Sequence, residues 1–257
     1  RDSFEPMRWK DLDADEKLMI LETHTLMTQK NTGLVKSRLV MGGNKQKPFI
    51  AKEDSSSPTA HCESLTLSCT IDAAEGRYTV ITDIPNAFVQ TRVQNRKDQT
   101  ISRLRGLVVD ILMILDKEKY GPYVFTDKHG NKCLIVRCLN AIYGTVTAAL
   151  LFYNKFRASL EEYGFVFNPY DPCVANKMVN GKQMTILFHV DDCKISHVDP
   201  EVVEEMIHWL RENYEVVWED GTGKMKVSRG KVHKFLGMTL DYRVDGECHI
   251  TMISYIE

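Results

Sequence analysis

The sequence lacks the marks of several large protein classes. No apolar run approaches the roughly 20 residues that a membrane-spanning helix requires, and the charged start Arg1-Asp2-Ser3 is followed by no apolar segment of the kind found in signal peptides. The formal net charge is only -2, which is not typical of a charged disordered tail or of a globally basic nucleic-acid binder. These absences predict a folded intracellular protein that does not enter a membrane.

Paired cysteines are missing as well. The chain has seven cysteines, an odd number, and no two of them stand in a C-x-x-C spacing. This pattern argues against a zinc site and against a disulfide framework. We therefore expect reduced thiols.

Apolar residues and local clusters of positive charge are present. With 257 residues of which 43% are apolar, the chain can form one large domain or two small ones with a real core. Residues 28–52 and 224–234 carry lysine and arginine but no acidic residue. Such basic stretches suit a phosphate-backbone partner, and two solvated loops are the alternative interpretation.

The N-terminal part predicts a helix followed by a hairpin. Asp13 and Glu16 have the spacing of a capping box, which indicates a short helix. Residues 23–30 and 34–41 have the pattern of strands on either side of a turn that contains Gly33. On the second strand Lys36 and Arg38 are two residues apart, so both must project from the same face.

An aspartate is predicted at the end of a strand in the next segment. A helix over residues 59–74 should end at Gly76, and the strand over residues 77–83 that follows ends at Asp83. Pro85 fits the first turn of a short helix beyond it. A further helix is predicted over residues 107–115, and a second hairpin over residues 123–126 and 132–139.

The second half predicts two acids at a hairpin tip. A helix over residues 147–163 precedes Asn180-Gly181, a strong hairpin signal. The apolar strand of residues 184–190 ends in Asp191-Asp192, a strand leaves over residues 193–197, and Asp199-Pro200 opens a helix. Strand, helix, paired strands, helix and strand is a ferredoxin-like βαββαβ order, so we predict an α+β fold.

Three carboxylates thus arrive at neighbouring strand ends, at Asp83, Asp191 and Asp192. Such a group can hold two hard cations about 3.5–4 Å apart for in-line phosphoryl displacement, and oxygen ligands suit magnesium. Each part also has an ordinary explanation, because an Asp-Asp pair in a loop is usually a solvated turn and a lone Asp at a strand end is usually a cap or an ion-pair partner. Spacing alone therefore indicates metal-dependent phosphoryl transfer without deciding for it.

A set of motifs in a fixed order resembles the reverse transcriptases of copia-type retrotransposons, from about residue 21 to the end of the chain. The family patterns K-A-R-L-V-A-x-G-x-x-Q, S-P-(V/T), D-x-x-x-A-F, A-L-Y-G, W-Y, G-F, Y-D-P-C, Y-V-D-D and F-L-G are matched by residues 35–46, 56–58, 83–88, 141–144, 152–153, 164–165, 170–173, 189–192 and 235–237. Chance would not keep so many motifs in order.

The resemblance implies an RNA-directed DNA polymerase with the fingers and palm of a right-hand polymerase. The implied parts are an N-terminal helix and fingers (1–76), the first palm strand (77–90), a fingers region or insert (91–146) and the rest of the palm with the primer-grip hairpin (147–257), without thumb, RNase H or integrase. Two Mg²⁺ ions, with Mn²⁺ as a substitute, are the implied cofactors. The implied partners are an RNA/DNA template-primer, deoxynucleoside triphosphates and the remaining RNase H and integrase parts of the Pol polyprotein, in the cytoplasm or a virus-like particle.

The resemblance also implies roles for single residues. Asp83, Asp191 and Asp192 become the catalytic metal ligands. Phe88 stands where the family has an aromatic steric gate, which would clash with a ribose 2′-hydroxyl, although core packing also explains an aromatic residue here. Lys36 and Arg38 would grip the triphosphate, unless they belong to an ordinary solvated hairpin.

Further positions follow from the same motifs. Gly144 would allow close backbone approach to the nucleotide or template, and a turn explains it equally well. Thr147 occupies a nucleotide-contacting position. Phe235, Leu236 and Gly237 would form the primer grip, with a buried strand as the alternative. Lys231 would face the pyrophosphate or the primer backbone.

Three residues depart from the family pattern. Thr147 replaces a glutamine, His189 replaces the tyrosine before V-D-D, and Pro85 is unusual after the first catalytic aspartate. None of these changes removes a metal ligand. Two alternatives therefore stay open: a catalytically inactive remnant that binds nucleic acid, and another palm-fold nucleotidyl transferase or cyclase, which would not need the basic hairpin.

Overall fold

The computed structural model describes residues 2–29, 33, 35–218 and 221–253. Helices and strands are both abundant, which confirms the predicted α+β class. The chain divides into two compact units, one of Arg1–Ser56 with Phe88–Phe152 and the other of Ser57–Ala87 with Tyr153–Glu257. In the described ranges, none of the helices has the length and apolar character needed to span a bilayer.

Seven helices and fifteen strands are found in the described residues. The helices are α1 (Ala14–Leu18), α2 (Lys52–Ser55), α3 (Cys62–Ala74), α4 (Leu107–Leu115), α5 (Lys117–Tyr120), α6 (Ala148–Glu162) and α7 (Pro200–Tyr214). The strands are β1 (Phe4–Met7), β2 (Leu21–Gln29), β3 (Val35–Met41), β4 (Tyr78–Asp83), β5 (Ile101–Arg105), β6 (Phe125–Thr126), β7 (Lys132–Cys138), β8 (Val166–Phe167), β9 (Val174–Val179), β10 (Lys182–His189), β11 (Asp192–His197), β12 (Lys226–Ser228), β13 (Val232–Phe235), β14 (Met238–Asp241) and β15 (His249–Thr251).

The first unit is built on a sheet with the order β1-β7-β5-β2-β3, to which β6 is added beside β7. The predicted hairpin is confirmed as β2 and β3. Lys36 pairs with Thr28 and Arg38 pairs with Leu26, so the two cations share one face of the hairpin as predicted. The predicted turn residues Asn31 and Thr32 and the strand ends Lys30 and Leu34 lie outside the described residues.

Several local predictions are confirmed by their hydrogen bonds and backbone angles. The Asp13 carboxylate accepts a bond from the Glu16 amide at 2.7 Å, and the Glu16 carboxylate accepts one from the Asp13 amide at 3.2 Å, which completes the capping box. Asn180 and Gly181 both have a positive φ, at 51° and 74°, as a two-residue primed hairpin turn requires. The Asp199 side chain caps α7.

The prediction of a helix beginning at Pro85 is wrong. Residues 85–87 form a turn, and the short 3-10 helix begins only at Phe88. Asn86 has a φ of 54°, which lies in the left-handed region and cannot continue a right-handed helix. The proline therefore marks a turn directly after Asp83.

The second unit contains the sheet that carries the acids. Its order is β12-β4-β11-β10-β9-β8. Along the chain β4, α6, β10, β11, α7 and β12 occur in the predicted order of strand, helix, two strands, helix and strand, but β8 and β9 are additional strands of the sheet between α6 and β10. Beneath one face the Phe156 ring meets Phe188 and Tyr214 edge to face, with centroids 5.0 Å and 5.5 Å apart. The opposite face is covered by α3 and by the sheet β13-β14-β15, whose Phe235 and Leu240 share its core.

A fully buried ion pair connects α3 to β11 in this unit. Asp72 and Lys194 form the pair, and only 1% of each residue's surface is exposed. The Lys194 ammonium also donates to the Ser68 hydroxyl at 2.7 Å, and the Ser196 hydroxyl donates to the Asp72 carboxylate at 2.6 Å. Burial of two charges is tolerated only when their hydrogen-bonding capacity is satisfied in this way.

Breaking this pair on one side should be much more harmful than replacing both partners. Lys194→Met leaves the Asp72 carboxylate buried without its cation, so we expect it to lower the free energy of unfolding by about 3–5 kcal/mol. Asp72→Asn combined with Lys194→Met keeps the shape and removes both charges, and should recover most of the loss. Urea denaturation followed by circular dichroism measures both values.

Lys182→Met is the matched control, since Lys182 is an exposed lysine on the neighbouring strand β10, and it should change stability little. A double variant no more stable than Lys194→Met alone would show that the buried charge is not what Asp72 and Lys194 contribute.

Candidate active site

The three predicted acids lie at one end of the six-stranded sheet of the second unit. The antiparallel register of β4 and β11 pairs Asp83 directly with Asp192, so these side chains project from the same face with Cβ atoms about 4.5–5.5 Å apart. Asp191 lies in the two-residue turn between β10 and β11, and its carbonyl oxygen accepts a hydrogen bond from the Ile84 amide at 2.8 Å. Sheet pairing thus brings together residues more than 100 positions apart.

The negative charges of these three acids repel one another. Burial of Asp192 raises the pKa of its carboxyl to about 6, and the nearby carboxylates of Asp191 and Asp83 raise it further in the same direction. Like charges directly opposite on adjacent strands destabilise a sheet. A bound proton or a cation would relieve this repulsion.

The donor chemistry of the acids fits a hard divalent cation, because Mg²⁺ prefers carboxylate oxygen ligands. In the part of the chain that the structure describes, no group of three or more His, Cys, Asp or Glu side chains is already arranged to hold a metal ion. The predicted magnesium site stays a prediction.

Backbone strain lies at the turn that carries the acids. Val190 has a φ of 59° and occupies the first turn position between the paired residues His189 and Asp192. Both common hairpin turns require a positive φ at this position and favour glycine there. For a β-branched residue such a conformation is a genuine outlier that costs of order 1–3 kcal/mol.

A lysine that the sequence did not single out stands beside Asp83. β12 pairs with the other side of β4, and this register sets Lys226 directly opposite Asp83. The Thr82 hydroxyl donates to the Lys226 carbonyl at 2.9 Å and holds this pairing. Asp83 therefore has Asp192 on one side and a cation on the other, on the same face of the sheet.

In the sequence Lys226 is one of several cations in the basic stretch 224–234. Only the pairing of β12 with β4 shows that Lys226 is the one beside Asp83. Lys231, which was singled out from the same stretch, instead lines a cleft of about 340 Å³ together with Glu75, Tyr242 and Asp245. Its predicted contact with pyrophosphate or primer stays a prediction.

The predicted primer-grip residues form a tight turn. Phe235 ends β13 and is buried, with 2% of its surface exposed, against Leu65 and Leu240. Leu236 and Gly237 make the turn into β14 with positive φ angles of 50° and 78°. The buried-strand alternative therefore describes Phe235, while Leu236 is half-buried against the same core and Gly237 is exposed.

In the first unit, two predicted nucleotide-binding residues meet the same tyrosine. The Arg38 guanidinium lies 6.0 Å from the centre of the Tyr143 ring, and the Phe88 ring lies 4.8 Å from Tyr143 and 6.4 Å from Phe152, between centroids. Phe88 is half-buried, so its ring packs against Tyr143 and Phe152 and is partly exposed to solvent. Tyr143 was visible in the sequence only as part of the A-I-Y-G match.

Gly144 is explained by a close approach to the hairpin. A Cβ atom at this position would lie 2.2 Å from the Met41 carbonyl oxygen, and the φ of Gly144 is 88°. The Gly43 amide donates to the Gly144 carbonyl at 3.1 Å. The backbone that comes close is thus that of the end of β3 and of Gly43 just beyond it. Thr147 precedes α6 and its carbonyl accepts a bond from the Leu151 amide at 3.0 Å.

No protein-family model matches the chain. Among solved structures it is similar to telomerase from Candida albicans in complex with a TWJ fragment of telomeric RNA (10% identity, 93% of this chain and 47% of that chain covered, TM-score 0.43). It is also similar to a foamy viral protease-reverse transcriptase in complex with double-stranded DNA (14%, 86% and 30%, 0.45) and to apo telomerase from Candida tropicalis (11%, 93% and 48%, 0.47).

The chain spans less than half the length of each of these three chains. All three TM-scores lie below 0.5, so these similarities do not indicate what this chain does. Its function has to be inferred from the residues of the site.

The raised pKa of Asp192 makes stability depend on pH. Its pKa is about 6 in the folded chain and about 3.9 when unfolded, so its stabilising contribution is complete below about pH 4 and is lost as the pH rises through about 6. In the absence of divalent cations we expect Asp192→Asn to exceed the parent in unfolding free energy at pH 8 by about 1–2 kcal/mol, allowing for solvent screening.

This difference should shrink towards zero at pH 4. Urea denaturation at both pH values measures it, and Asp98→Asn, at an exposed carboxylate of the first unit, should show no such trend. A difference between Asp192→Asn and the parent that is independent of pH would contradict the assignment to carboxylate crowding.

The strain at the hairpin tip should also be measurable. Val190→Gly allows the same positive φ without a Cβ clash, so we expect the unfolding free energy to rise by about 1 kcal/mol. Val190→Ala keeps the Cβ atom and should bring no comparable gain. Thermal denaturation of both variants tests this, and equal melting temperatures for Gly and Ala would show that Val190 is not strained.

Proposed function

We propose that this chain is the fingers and palm part of a copia-type retrotransposon reverse transcriptase, an RNA-directed DNA polymerase that adds deoxynucleotides to a primer 3′-hydroxyl. The observation that carries the proposal is the pairing of Asp83 with Asp192, with Asp191 in the adjoining turn. The ordered sequence motifs supply the family. In this proposal the sheet β12-β4-β11-β10-β9-β8 is the palm.

Asp83, Asp191 and Asp192 would hold two Mg²⁺ ions, with Mn²⁺ as a substitute. When bound, such ions lower the pKa of the attacking hydroxyl and neutralise charge on the leaving pyrophosphate. The crowding that raises the pKa of Asp192 supports this assignment, because carboxylates that repel one another in the free chain gain most from a shared cation. Lys226 on the same face offers a positive charge beside Asp83.

The first unit would supply the contacts to the incoming nucleotide. Lys36 and Arg38 share a face of the β2–β3 hairpin and would bind the triphosphate, a role for which fixed cations are suited. Phe88 would act as the steric gate, since a ring held by Tyr143 and Phe152 is rigid enough to exclude a ribose 2′-hydroxyl. Gly144 and Thr147 would lie near the same nucleotide.

The proposed partners are an RNA or DNA template-primer, deoxynucleoside triphosphates and the RNase H and integrase parts of a Pol polyprotein. Leu236 and Gly237, at the turn between β13 and β14, would contact the primer strand, with Phe235 anchoring the turn from the core and Lys231 adding charge.

A second candidate is an inactive remnant that binds nucleic acid. The observation that favours it is the departure of Thr147 and Pro85 from the family pattern. The two candidates share the basic hairpin and differ only in whether Asp83, Asp191 and Asp192 support chemistry.

Primer extension separates these candidates. With a primed RNA template, deoxynucleotides and Mg²⁺, we expect incorporation by the parent and a loss of about a hundredfold or more in Asp83→Asn and in Asp191→Asn, because a metal ligand contributes several kcal/mol to the transition state. Fluorescence anisotropy with the same labelled template-primer should show that both variants bind it with a dissociation constant within a fewfold of that of the parent.

Asp98→Asn serves as the control for removal of a carboxylate outside the site and should retain full incorporation. Template binding without incorporation in any protein, with Mg²⁺ or Mn²⁺, would support the remnant instead. Equal incorporation by the parent and Asp191→Asn would refute the assignment of the acids.

A further inference from the structure

A cavity with mainly apolar walls and a few polar side chains lies between α3 and the strands β9 and β10, inside the second unit. Its volume is about 160 Å³, which is below the roughly 300–1,000 Å³ typical of drug-sized ligands. The α3 side is formed by Leu67 and Ile71, and Val174 adds a third apolar wall. A ligand of one or two small rings is the size that this space admits.

A network of side chains from Arg77, just before β4, and from β9 and β10 lines the cavity. The Arg77 side chain is 2% exposed and donates to the Thr185 hydroxyl at 3.0 Å. That hydroxyl donates to the Asn176 amide oxygen at 2.8 Å, and the Gln183 amide nitrogen donates to the same oxygen at 3.0 Å. The Thr185 hydroxyl and the Asn176 oxygen are therefore already engaged.

This network leaves one hydrogen-bond donor and one hydrogen-bond acceptor unused. Among the described residues, no partner bonds the Asn176 amide nitrogen or the Gln183 amide oxygen. The first is a donor and the second an acceptor, both residues line the cavity, and their amide groups are joined by one hydrogen bond. A ligand edge with a neighbouring acceptor and donor is the complement, and every nucleobase has such an edge in a planar ring with apolar faces.

An exposed aromatic ring stands next to the cavity lining. Tyr170 is 88% exposed, and its amide donates to the side chain of the lining residue Asn168 at 2.8 Å, which fixes the turn. The next residue, Asp171, is 2% exposed and holds the loop to α3 through the His61 amide at 3.0 Å. Rigid exposed aromatic rings are the usual stacking platforms for single-stranded nucleic acid.

We infer that this cavity binds a single unpaired nucleobase, with the base edge on Asn176 and Gln183 and the base faces against Leu67 and Ile71. The base can belong to a free nucleoside or to a single strand, and in a strand the neighbouring base would stack on Tyr170. The inference goes beyond the proposed polymerase activity and does not involve Asp83, Asp191 or Asp192.

Titration of the whole chain with uridine, and with ribose as the base-free probe, tests the inference by calorimetry or ligand-observed NMR. We expect uridine to bind and ribose not to bind. Gln183→Leu should weaken uridine about tenfold, the effect of one lost hydrogen bond. Leu67→Trp, at a wall residue that is 61% exposed, should fill the cavity and abolish binding without disturbing the core.

Thr66→Ala is the matched control, since Thr66 is an exposed neighbour on α3 whose hydroxyl bonds only back to the Cys62 carbonyl, and it should bind uridine as the parent does. The inference fails if uridine does not bind, if ribose binds equally well, or if neither Gln183→Leu nor Leu67→Trp weakens uridine.

A ten-residue oligouridylate distinguishes the two sources of the base. A strand that binds more tightly than uridine, and that loses about tenfold in Tyr170→Ala while uridine does not, assigns the cavity to single-stranded nucleic acid. A strand that binds no better than uridine assigns it to free nucleosides. Asp83→Asn should leave both titrations unchanged, so failure of the polymerase proposal would be seen separately.

Discussion

The buried ion pair between Asp72 and Lys194 constrains the register of the strand that carries Asp192 in the second unit. Lys194 lies two residues beyond Asp192 on β11 and pairs in register with Ile81 on β4, so the strand that carries one acid is tied to α3 directly beneath the site. A one-residue slip of β11 would turn Lys194 to the opposite face and leave Asp72 buried without its cation. The pair thus penalises a shift of β11 by one residue from the register that sets Asp192 opposite Asp83.

The end of the sheet that carries the three acids, by contrast, contains interactions that lower the stability of the chain. Asp83 and Asp192 repel one another across adjacent strands, and Val190 holds a backbone conformation that suits glycine. Both features lower stability in the free chain, and both would be expected where a site is prepared for a cationic ligand. A sheet held rigidly from below by Asp72 and Lys194 can support them.

Individual predictions from sequence succeeded or failed according to the range of the interaction. The capping box at Asp13, the turn at Asn180 and the cap at Asp199 are local, and all three were confirmed. Pro85 was misjudged because the left-handed Asn86 beside it has no reliable sequence signal. For Gly144 the sequence offered close approach to a ligand or a turn, and the structure adds a further reason for glycine, the Met41 carbonyl, which lies about 100 residues away along the chain. The ligand contact stays a prediction.

The sequence by itself determined the α+β class, most helices and strands, and the positions of the three acids at strand ends, since hydrophobic period, caps and turn residues act within a few residues of one another. Only the tertiary structure decided which strands pair. That pairing sets Lys226 on one side of Asp83 and Asp192 on the other. The packing of strands and loops also buries Phe235 and brings Arg38 and Phe88 to Tyr143. It forms the cavity beside Asn176 and Gln183 as well. These arrangements depend on non-local burial and register, which no local pattern encodes.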